Sequence, residues 1–465
     1  MNTISSQNPF FETYSTLHST VPFDKIKTGD YVPAIREGIR RQNAEIEAII
    51  RNPEVPTFAN TVLAYEKSGE MLHRVSTVFG NLLSAETDDD LQELAKEIMP
   101  MMSEHENNIS LNEELFARIK AVYKQQDKET LSPEQHKLLE DIYNGFVRNG
   151  ANLLGEDKEK YRALCKELSL LTLQFSENNL KETNDYKLVI TDKSQLAGLP
   201  ESAVEAAAET AGEKGVEGWV FTLQAPSYGP FLTYADSRDL RRELYMAYNT
   251  KCTHDNASNN LEIVKKLANV RMEIAQLLGY DNFAEYNLQE RMAQNSESVY
   301  KLLDQLLEAY TPTAKQEYAE VQALARQAEG EDFVLMPWDW AYYSHKLKDR
   351  KFNIDDELLR PYFELNNVKQ GVFGLATRLY GITFKKNPDI PVYHKDVDAY
   401  EVFDKDGKFL AVFYTDFHPR AGKRSGAWMT SYKEQWIDEK TGENSRPHIS
   451  IVMNFTKPTQ DKPAL

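Results

Sequence analysis

The sequence has little cysteine, since only Cys165 and Cys252 occur among its 465 residues. Two thiols cannot build a disulfide framework, so the sequence favours a reducing compartment in which both act as small buried side chains. Basic residues are also outnumbered: 54 Lys and Arg stand against 72 Asp and Glu, a formal net charge of −18. Nucleic acids and anionic membranes attract positively charged surfaces. Neither is therefore an expected partner.

Long apolar runs are missing as well. No window approaches the roughly 20 apolar residues of a membrane-spanning helix. The N-terminal stretch Met1–Phe11 lacks the basic segment and apolar core of a signal peptide. Because 41% of the residues are hydrophobic and 27% are charged, the composition is ordinary for a globular protein. We expect a cytoplasmic protein.

Motifs for hydrolysis are absent too. None of the nine histidines stands four residues from another, so no helix turn can present two imidazoles to one zinc ion. His105-Glu106 begins like such a motif, but Ile109 occupies the position of the second ligand. No Gly-x-Ser-x-Gly elbow and no glycine-rich phosphate loop occurs. The residues themselves therefore predict no catalytic residue and no metal ligand in this chain.

Helical patterns dominate what is present. Pro, Asp, Asn and Thr punctuate the first part of the chain where helices would begin, which predicts an N-terminal helical domain over residues 1–150. Further on, apolar residues recur every three or four positions, which indicates helices with one buried face. These stripes are Tyr161, Leu164, Leu168, Leu171 and Phe175, and then Ile263, Leu267, Val270, Ile274 and Leu277. The sequence predicts a mainly α fold.

Strand patterns are few and most come late. Tyr186–Thr191 and Gly218–Leu223 are candidate strands among helices. A hairpin is predicted around the Asp-Gly turn of Asp404–Gly407, because apolar residues alternate on both sides of it. The stretch Pro447–Phe455 alternates with period two and forms a further candidate strand. We therefore expect residues 151–465 to combine helices with a small sheet.

Two pieces near the end carry a recognisable pattern. Residues 419–429 read Pro-Arg-x-x-Lys-Arg-x-Gly-Ala-Trp-Met, and residues 454–458 read Asn-Phe-x-x-Pro. Together they resemble the thimet-oligopeptidase-like (M3) zinc metallopeptidases, and most of all their bacterial peptidyl-dipeptidase branch. Residues 277–281 and 290–293, Leu-Leu-Gly-Tyr-Asp and Glu-Arg-Met-Ala, resemble the same family.

The resemblance implies a thimet-oligopeptidase/neurolysin-like multi-helix architecture. It also implies a zinc site of the His-Glu-x-x-His type shortly after the last strand, beyond Leu465, where this sequence stops. We therefore expect the N-terminal fragment of a zinc metallopeptidase that removes C-terminal dipeptides from short peptides. The fragment would lack the zinc ligands and the catalytic half and would be inactive, whereas the complete protein is expected to be a monomer. An endo-acting oligopeptidase fragment and a non-catalytic helical peptide-binding module are the alternatives.

Substrate binding is the role that this part of such an enzyme would keep. A peptide can pair with the free edge of a strand, so the backbone around His448, Ile449 and Ser450 is a candidate if that strand lies at an edge. Gly426 and Ala427 are small enough for a peptide backbone to approach closely. The alternative is an interior strand without ligand contacts.

Two further features have more than one interpretation. The loop with Arg420, Lys423 and Arg424 offers guanidinium groups suited to a peptide carboxylate, or it is a solvated loop that packs against the missing half of the enzyme. The aromatic patch Trp340–Tyr343 can line a channel, or it is part of the core. The sequence leaves both alternatives open.

Overall fold

The computed structural model describes residues 8–125, 130–354, 356–438 and 440–458. Leu465, where the sequence stops, lies outside the described residues. The described part is mostly helical, which confirms the predicted mainly α fold. Its helices are α1 (Tyr31–Ile50), α2 (Leu63–Glu66), α3 (Glu70–Ala85), α4 (Asp89–Ser110), α5 (Glu113–Lys124), α6 (Pro133–Arg148), α7 (Gly155–Asp185), α8 (Glu201–Glu213), α9 (Ala225–Tyr234), α10 (Arg238–Asn249), α11 (Leu261–Leu277), α12 (Phe283–Leu288), α13 (Ser296–Glu329), α14 (Trp340–Phe352), α15 (Asp356–Leu359) and α16 (Leu365–Tyr380).

Short polar residues begin several helices of the N-terminal part. Asp88 accepts a hydrogen bond from the Leu91 amide at the start of α4, and Ser132 does the same for Gln135 in front of Pro133. Each side chain satisfies an amide that the first helical turn leaves without a partner. The helices then bury apolar faces in two clusters, one of which unites α1, α3 and α4 with the late sheet.

The two predicted apolar stripes meet each other. Tyr161, Leu164 and Leu171 of α7 are buried together with Leu267 and Ile274 of α11. The stripe therefore holds these two helices side by side. Toward the C-terminal end of α7 the same stripe reaches the surface, where Phe175 is 38% exposed.

The two early candidate strands are confirmed. The strands β1 (Leu188–Ile190) and β2 (Trp219–Phe221) pair antiparallel as a separate two-stranded sheet. Helix α8 lies between them in the chain and contributes Ala207 to the cluster that buries Ile190 and Phe221.

The late sheet has five strands and mixed directions. Its members are β3 (Thr383–Lys386), β4 (Val397–Phe403), β5 (Phe409–Asp416), β6 (Trp428–Lys433) and β9 (His448–Val452), while β7 (Trp436–Ile437) and β8 (Asn444–Ser445) form a small pair beside it. The order is β3-β4-β5-β9-β6, with β5 and β9 parallel and the other neighbours antiparallel. The predicted hairpin is the β4–β5 pair, and Gly407 in its turn has φ +77°, as such turns require.

The sheet has two unlike faces. On the inner face, Val412, Tyr414 and Tyr432 are buried in one cluster with α1, α3 and α4. On the outer face, Phe373 of α16 covers part of the sheet, with its ring 5.2 Å from that of Tyr400. The remainder of the outer face, toward β9 and β6, is partly accessible. The inner face thus joins the sheet to the predicted N-terminal domain, and the boundary at residue 150 stays a prediction.

Among the described residues, no helix combines the length and the apolar character that crossing a bilayer requires.

Candidate functional site

The strand β9 does not lie at an edge of the sheet. It pairs with β5 on one side and with β6 on the other, so that Ser450 lies opposite both Tyr414 and Thr430. The condition of a free edge is therefore not met, and the strand is the interior one of the two alternatives, because its main-chain groups already bind two neighbours. Substrate contacts of His448, Ile449 and Ser450 stay a prediction, without the main-chain pairing that motivated it.

In β9 the polar residues lie on the more buried face and the isoleucines on the less buried one. His448 and Ser450 point to the inner face and are 2% and 0% exposed, whereas Ile449 on the outer face is only half-buried. Isoleucines that share one face of a strand ordinarily mark that face as the buried one. The sheet reverses this because the inner face is covered by the N-terminal helices.

One edge of the sheet is β3, and the other edge, beside β9, is β6. This strand pairs with β9 on one side, and no strand in the described part of the chain pairs with its other side. Gly426 and Ala427 are exposed where the strand begins, and Met429 on its outer face is 63% exposed. The two small residues therefore lie at the start of an accessible strand edge, and their substrate contacts stay a prediction.

A strand pattern for β6 is present in the sequence, although the predicted strands above did not include it. Trp428, Thr430 and Tyr432 alternate with other residues, and all three are types favoured in strands. Their side chains converge on a single buried amide on α3. Asn81 accepts hydrogen bonds from Trp428 Nε1 at 3.3 Å and from Thr430 Oγ1 at 2.9 Å, and its Nδ2 donates to the Tyr432 hydroxyl at 2.6 Å. One helical residue thus fixes the position of the edge strand.

The loop that precedes β6 is organised around Asp416, whose side chain is fully buried. Both carboxylate oxygens accept hydrogen bonds from Arg420, at 2.9 and 2.8 Å, and Lys423 Nζ lies 2.8 Å from Oδ1. The Tyr393 hydroxyl donates a further bond at 2.7 Å. A carboxylate with this many charged donors is held in one geometry.

Electrostatics within this cluster favour charged groups in spite of burial. Burial raises the pKa of Asp416, but hydrogen bonds from Arg420 and Lys423 outweigh it and hold the pKa below its usual value. Burial lowers the pKa of Lys423, and Asp416 opposes this effect. The side chains of Arg420 and Lys423 are only 9% and 0% exposed. For these two residues the interpretation as a solvated loop is therefore wrong.

The connection between α3 and α4 also binds this loop. Arg420 forms an ion pair with Glu86 and donates to the Ala85 carbonyl oxygen at 2.6 Å. The Thr87 amide donates to the Gly422 carbonyl oxygen at 2.8 Å. A Cβ atom on Gly422 would lie 2.3 Å from the Thr87 oxygen, so only glycine permits this approach.

Asn454 completes the support from the other side. Its Nδ2 donates to the carbonyl oxygens of Arg424 and Gly426, at 3.2 and 2.8 Å. The Asn-Phe-x-x-Pro motif thus contains the residue that ties the loop to the chain just after β9. In the sequence this motif supports the family resemblance, but it does not indicate a role for Asn454.

The described residues do not fit a zinc site. No group of three or more His, Cys, Asp or Glu side chains in them is arranged to hold a metal ion. His105 is buried and lies 2.7 Å from Gln42 Oε1, and burial lowers the pKa of His448 to about 3. The two imidazoles do not belong to one cluster, so they cannot bind a catalytic metal ion together.

Other candidate groups have structural surroundings. Burial raises the pKa of both cysteine thiols, which opposes a role as nucleophile. In the aromatic patch, Tyr342 and Tyr343 are buried in a small core cluster. Trp340 is 41% exposed and stacks on Tyr318 at 6.3 Å. The tyrosines therefore pack in the core, as one of the two interpretations predicted.

Fold and motifs together agree with one class of protein, the peptidases that the sequence resembles. Residues 231–465 match the profile of peptidase family M3, and the chain belongs to this family.

The relatives sharpen that assignment. Dipeptidyl carboxypeptidase of Escherichia coli is 39% identical over 99% of this chain and 67% of that protein, and its Salmonella typhimurium counterpart is 37% identical over 99% and 67%. Oligopeptidase A of Escherichia coli is 33% identical over 96% of this chain and 66% of that protein. The chain thus spans about two thirds of the length of these relatives.

Among solved structures, PZ peptidase A with inhibitor 2 is 16% identical to this chain, and the match covers 92% of this chain and 60% of the PZ peptidase chain. Its TM-score is 0.43, which is too low to add to the argument.

Proposed function

We propose that this chain forms the peptide-binding wall of a zinc metallopeptidase that removes C-terminal dipeptides from short peptides. The observation that carries the proposal is the edge strand β6, which is accessible on one side and is fixed on its inner face by Asn81. The identity with dipeptidyl carboxypeptidases supports the same substrate class.

In this proposal the substrate lies antiparallel to β6 and exchanges main-chain hydrogen bonds with it. Such pairing recognises any peptide backbone, so it suits an enzyme that accepts many short sequences. Gly426 and Ala427 leave room for the substrate backbone at the start of the strand. The buried contacts of the loop keep the edge in place before the peptide arrives, which reduces the entropy lost on binding.

Cleavage needs groups that this sequence does not contain. The family resemblance assigns zinc to a His-Glu-x-x-His helix, and the histidines of this chain do not supply one. Zinc would polarise the scissile carbonyl group and activate water. We propose that the relatives' remaining third carries this centre, and that the chain alone binds peptides without cutting them and without stoichiometric zinc. A cytoplasmic location and a monomeric complete protein belong to the same proposal.

An endo-acting oligopeptidase is the second candidate. Oligopeptidase A is only slightly less similar to this chain, at 33% against 39% identity. The two candidates differ in whether the substrate must end near the cleaved bond. A non-catalytic peptide-binding module is the third possibility, and it predicts binding without cleavage in every context.

The test joins this chain to the remaining C-terminal third of Escherichia coli dipeptidyl carboxypeptidase. We expect the fusion to bind one zinc ion and to release dipeptides from a peptide with a free C-terminus much faster than from the amidated peptide. Equal rates on both peptides would instead favour the endo-acting candidate. A folded, zinc-loaded fusion that cleaves neither peptide would contradict both enzymatic candidates.

Two controls accompany this experiment. The chain alone should show no cleavage. The fusion in which the glutamate of the zinc motif is replaced by glutamine should retain zinc and lose activity, which identifies the measured cleavage as that of the fused centre.

A further inference from the structure

A cavity of about 240 Å³ with polar and apolar walls borders the loop that leads into β6. One wall is the C-terminal half of α7, with Phe175 and Asn179, and another is the start of α9 at Gln224. The third wall is formed by Arg424 and Asn454. The cavity therefore adjoins the loop that leads into the edge strand.

The loop beside this cavity carries one more positive than negative side chain in its charged cluster. Asp416 and Glu86 are the carboxylates of the loop cluster, and Arg420 and Lys423 are fully engaged with them. Arg424 is the third cation of the loop, and its guanidinium forms no ion pair with any described residue. One positive charge is thus left over, and it lies on the cavity wall.

The position of Arg424 is well defined even though its side chain is exposed. Its backbone amide donates to the Ser84 carbonyl oxygen at 2.9 Å, and its carbonyl oxygen accepts from Asn454. The guanidinium carbon lies 4.5 Å from the centre of the Trp428 ring, over its face. Stacking on an aromatic ring leaves the edge N–H donors of a guanidinium free, and these suit the two oxygens of a carboxylate.

Strand direction connects the cavity with the proposed substrate. A peptide antiparallel to β6, which runs from Trp428 to Lys433, has its C-terminal end beside the start of that strand. Arg424, whose guanidinium lies over the ring of Trp428, and the cavity belong to the loop just before that start. The volume of about 240 Å³ is below the roughly 300 Å³ at which pockets for drug-sized ligands begin. It therefore suits the end of a chain better than an internal segment.

We propose that Arg424 binds the free α-carboxylate of a short peptide whose last residue enters this cavity. The inference rests on the proposed function, because it assumes a peptide paired with β6. It adds the residue that makes binding depend on a free C-terminus. Arg420 and Lys423, the other candidates in the loop, are excluded from this role by burial and by their bonds to Asp416.

The test measures binding of N-acetylated tetra-alanine to the full chain by isothermal titration calorimetry, once as the free acid and once as the amide. We expect the acid to bind roughly tenfold more tightly than the amide, the order of effect of a charged hydrogen-bonding pair at a partly exposed site. This preference should shrink as ionic strength rises. Arg424→Gln should abolish it and leave the affinity for the amide unchanged.

Three more variants keep the test decisive. Arg424→Lys retains the charge but not the planar pair of donors, so part of the preference should remain. Asn179→Trp places a bulky ring at the cavity wall and should weaken binding of both peptide forms. Arg378→Gln removes an exposed arginine on α16 and should change nothing. Far-UV circular dichroism verifies that each variant is folded.

The outcomes separate this inference from the proposed function. If acid and amide bind equally well, or if the preference survives Arg424→Gln, the carboxylate site is wrong and peptide binding stands. Unchanged affinities in Asn179→Trp would also overturn it, because the cavity would then not hold the peptide. If the folded chain binds neither form, the proposed peptide-binding wall fails, and the carboxylate site fails with it.

Discussion

The two faces of the late sheet differ in burial and therefore in their roles. The inner face is sealed: Val412, Tyr414 and Tyr432 are buried against N-terminal helices. The outer face near the same strands is open, with Met429 63% exposed and Ile449 half-buried. The inner contacts hold the sheet and the 417–427 loop in position. These contacts thereby position the outer face and the free edge of β6.

The difference predicts where substitutions act. A change on the inner side should unfold the loop or the sheet, whereas a change on the outer side should alter binding at little cost in stability.

Replacing Asp416 should be the most destabilising change. Asp416→Ala leaves Lys423 and Arg420 buried without their carboxylate, and breaking a buried ion pair in this way costs roughly 3–5 kcal/mol. Urea denaturation measures the free energy of unfolding. Asp406→Ala is the matched control, because this aspartate is exposed in the β4–β5 turn and should stay within about 0.5 kcal/mol of the parent. Equal stabilities of the two variants would show that the buried cluster does not hold the loop.

Removing the amide of Asn81 should have the next largest effect. Asn81→Ala breaks bonds to three alternate residues of β6 and leaves buried polar groups without partners, at a cost of about 2–3 kcal/mol. It should also weaken tetra-alanine binding, because the edge strand loses its support. Asn43→Ala on the exposed side of α1 is the control and should be neutral or slightly stabilising. Intact peptide affinity in Asn81→Ala would contradict a positioning role.

A methyl group on Gly422 should displace the loop from the α3–α4 connection. The added Cβ would lie 2.3 Å from the Thr87 carbonyl oxygen, so the hydrogen bond from the Thr87 amide must lengthen or break. We expect a loss of about 1–3 kcal/mol in thermal or urea unfolding. In Gly371→Ala the new methyl meets no atom within 4 Å, and this helical site should gain up to about 1 kcal/mol. A neutral Gly422→Ala would show that the close approach is not maintained in solution.

The buried imidazole of His448 should make stability depend on pH. Burial lowers its pKa to about 3, below the value of about 6.5 in an unfolded chain. Its neutral form therefore contributes stability that is fully present above pH about 6.5 and is lost as the pH falls toward 3, by at most about 1.4 kcal/mol per pH unit. His448→Gln should reduce the slope of stability against pH in this window. Asn43→Ala, which removes an exposed side chain that does not titrate, should leave the slope unchanged, and equal slopes in both variants would contradict the assignment.

Much of the fold followed from local pattern. The stripes at Tyr161 and Ile263 predicted α7 and α11, and the Asp-Gly turn at 406–407 predicted the β4–β5 hairpin. These signals are readable because periodicity and turn chemistry are properties of neighbouring residues. The family assignment rested on motifs of the same local kind.

The candidate site was less predictable, because it depends on residues far apart in the chain. Asn81 meets Trp428, and Glu86 meets Arg420, across more than 300 positions, and no periodicity reports such pairs. The position of β9 between two other strands is likewise set by the order of the whole sheet. A strand pattern alone identifies which residues share a face and does not say which strand is the edge.

Hydrogen–deuterium exchange of the backbone amides, measured with and without saturating N-acetylated tetra-alanine, tests the central claim most directly. The account predicts that the peptide slows exchange in residues 428–433 of β6, whose outer edge it would pair with. Exchange in residues 448–452 of β9 should not change, because those amides are already bonded within the sheet. Protection of β9 without protection of β6, or protection of neither strand by a bound peptide, would contradict it.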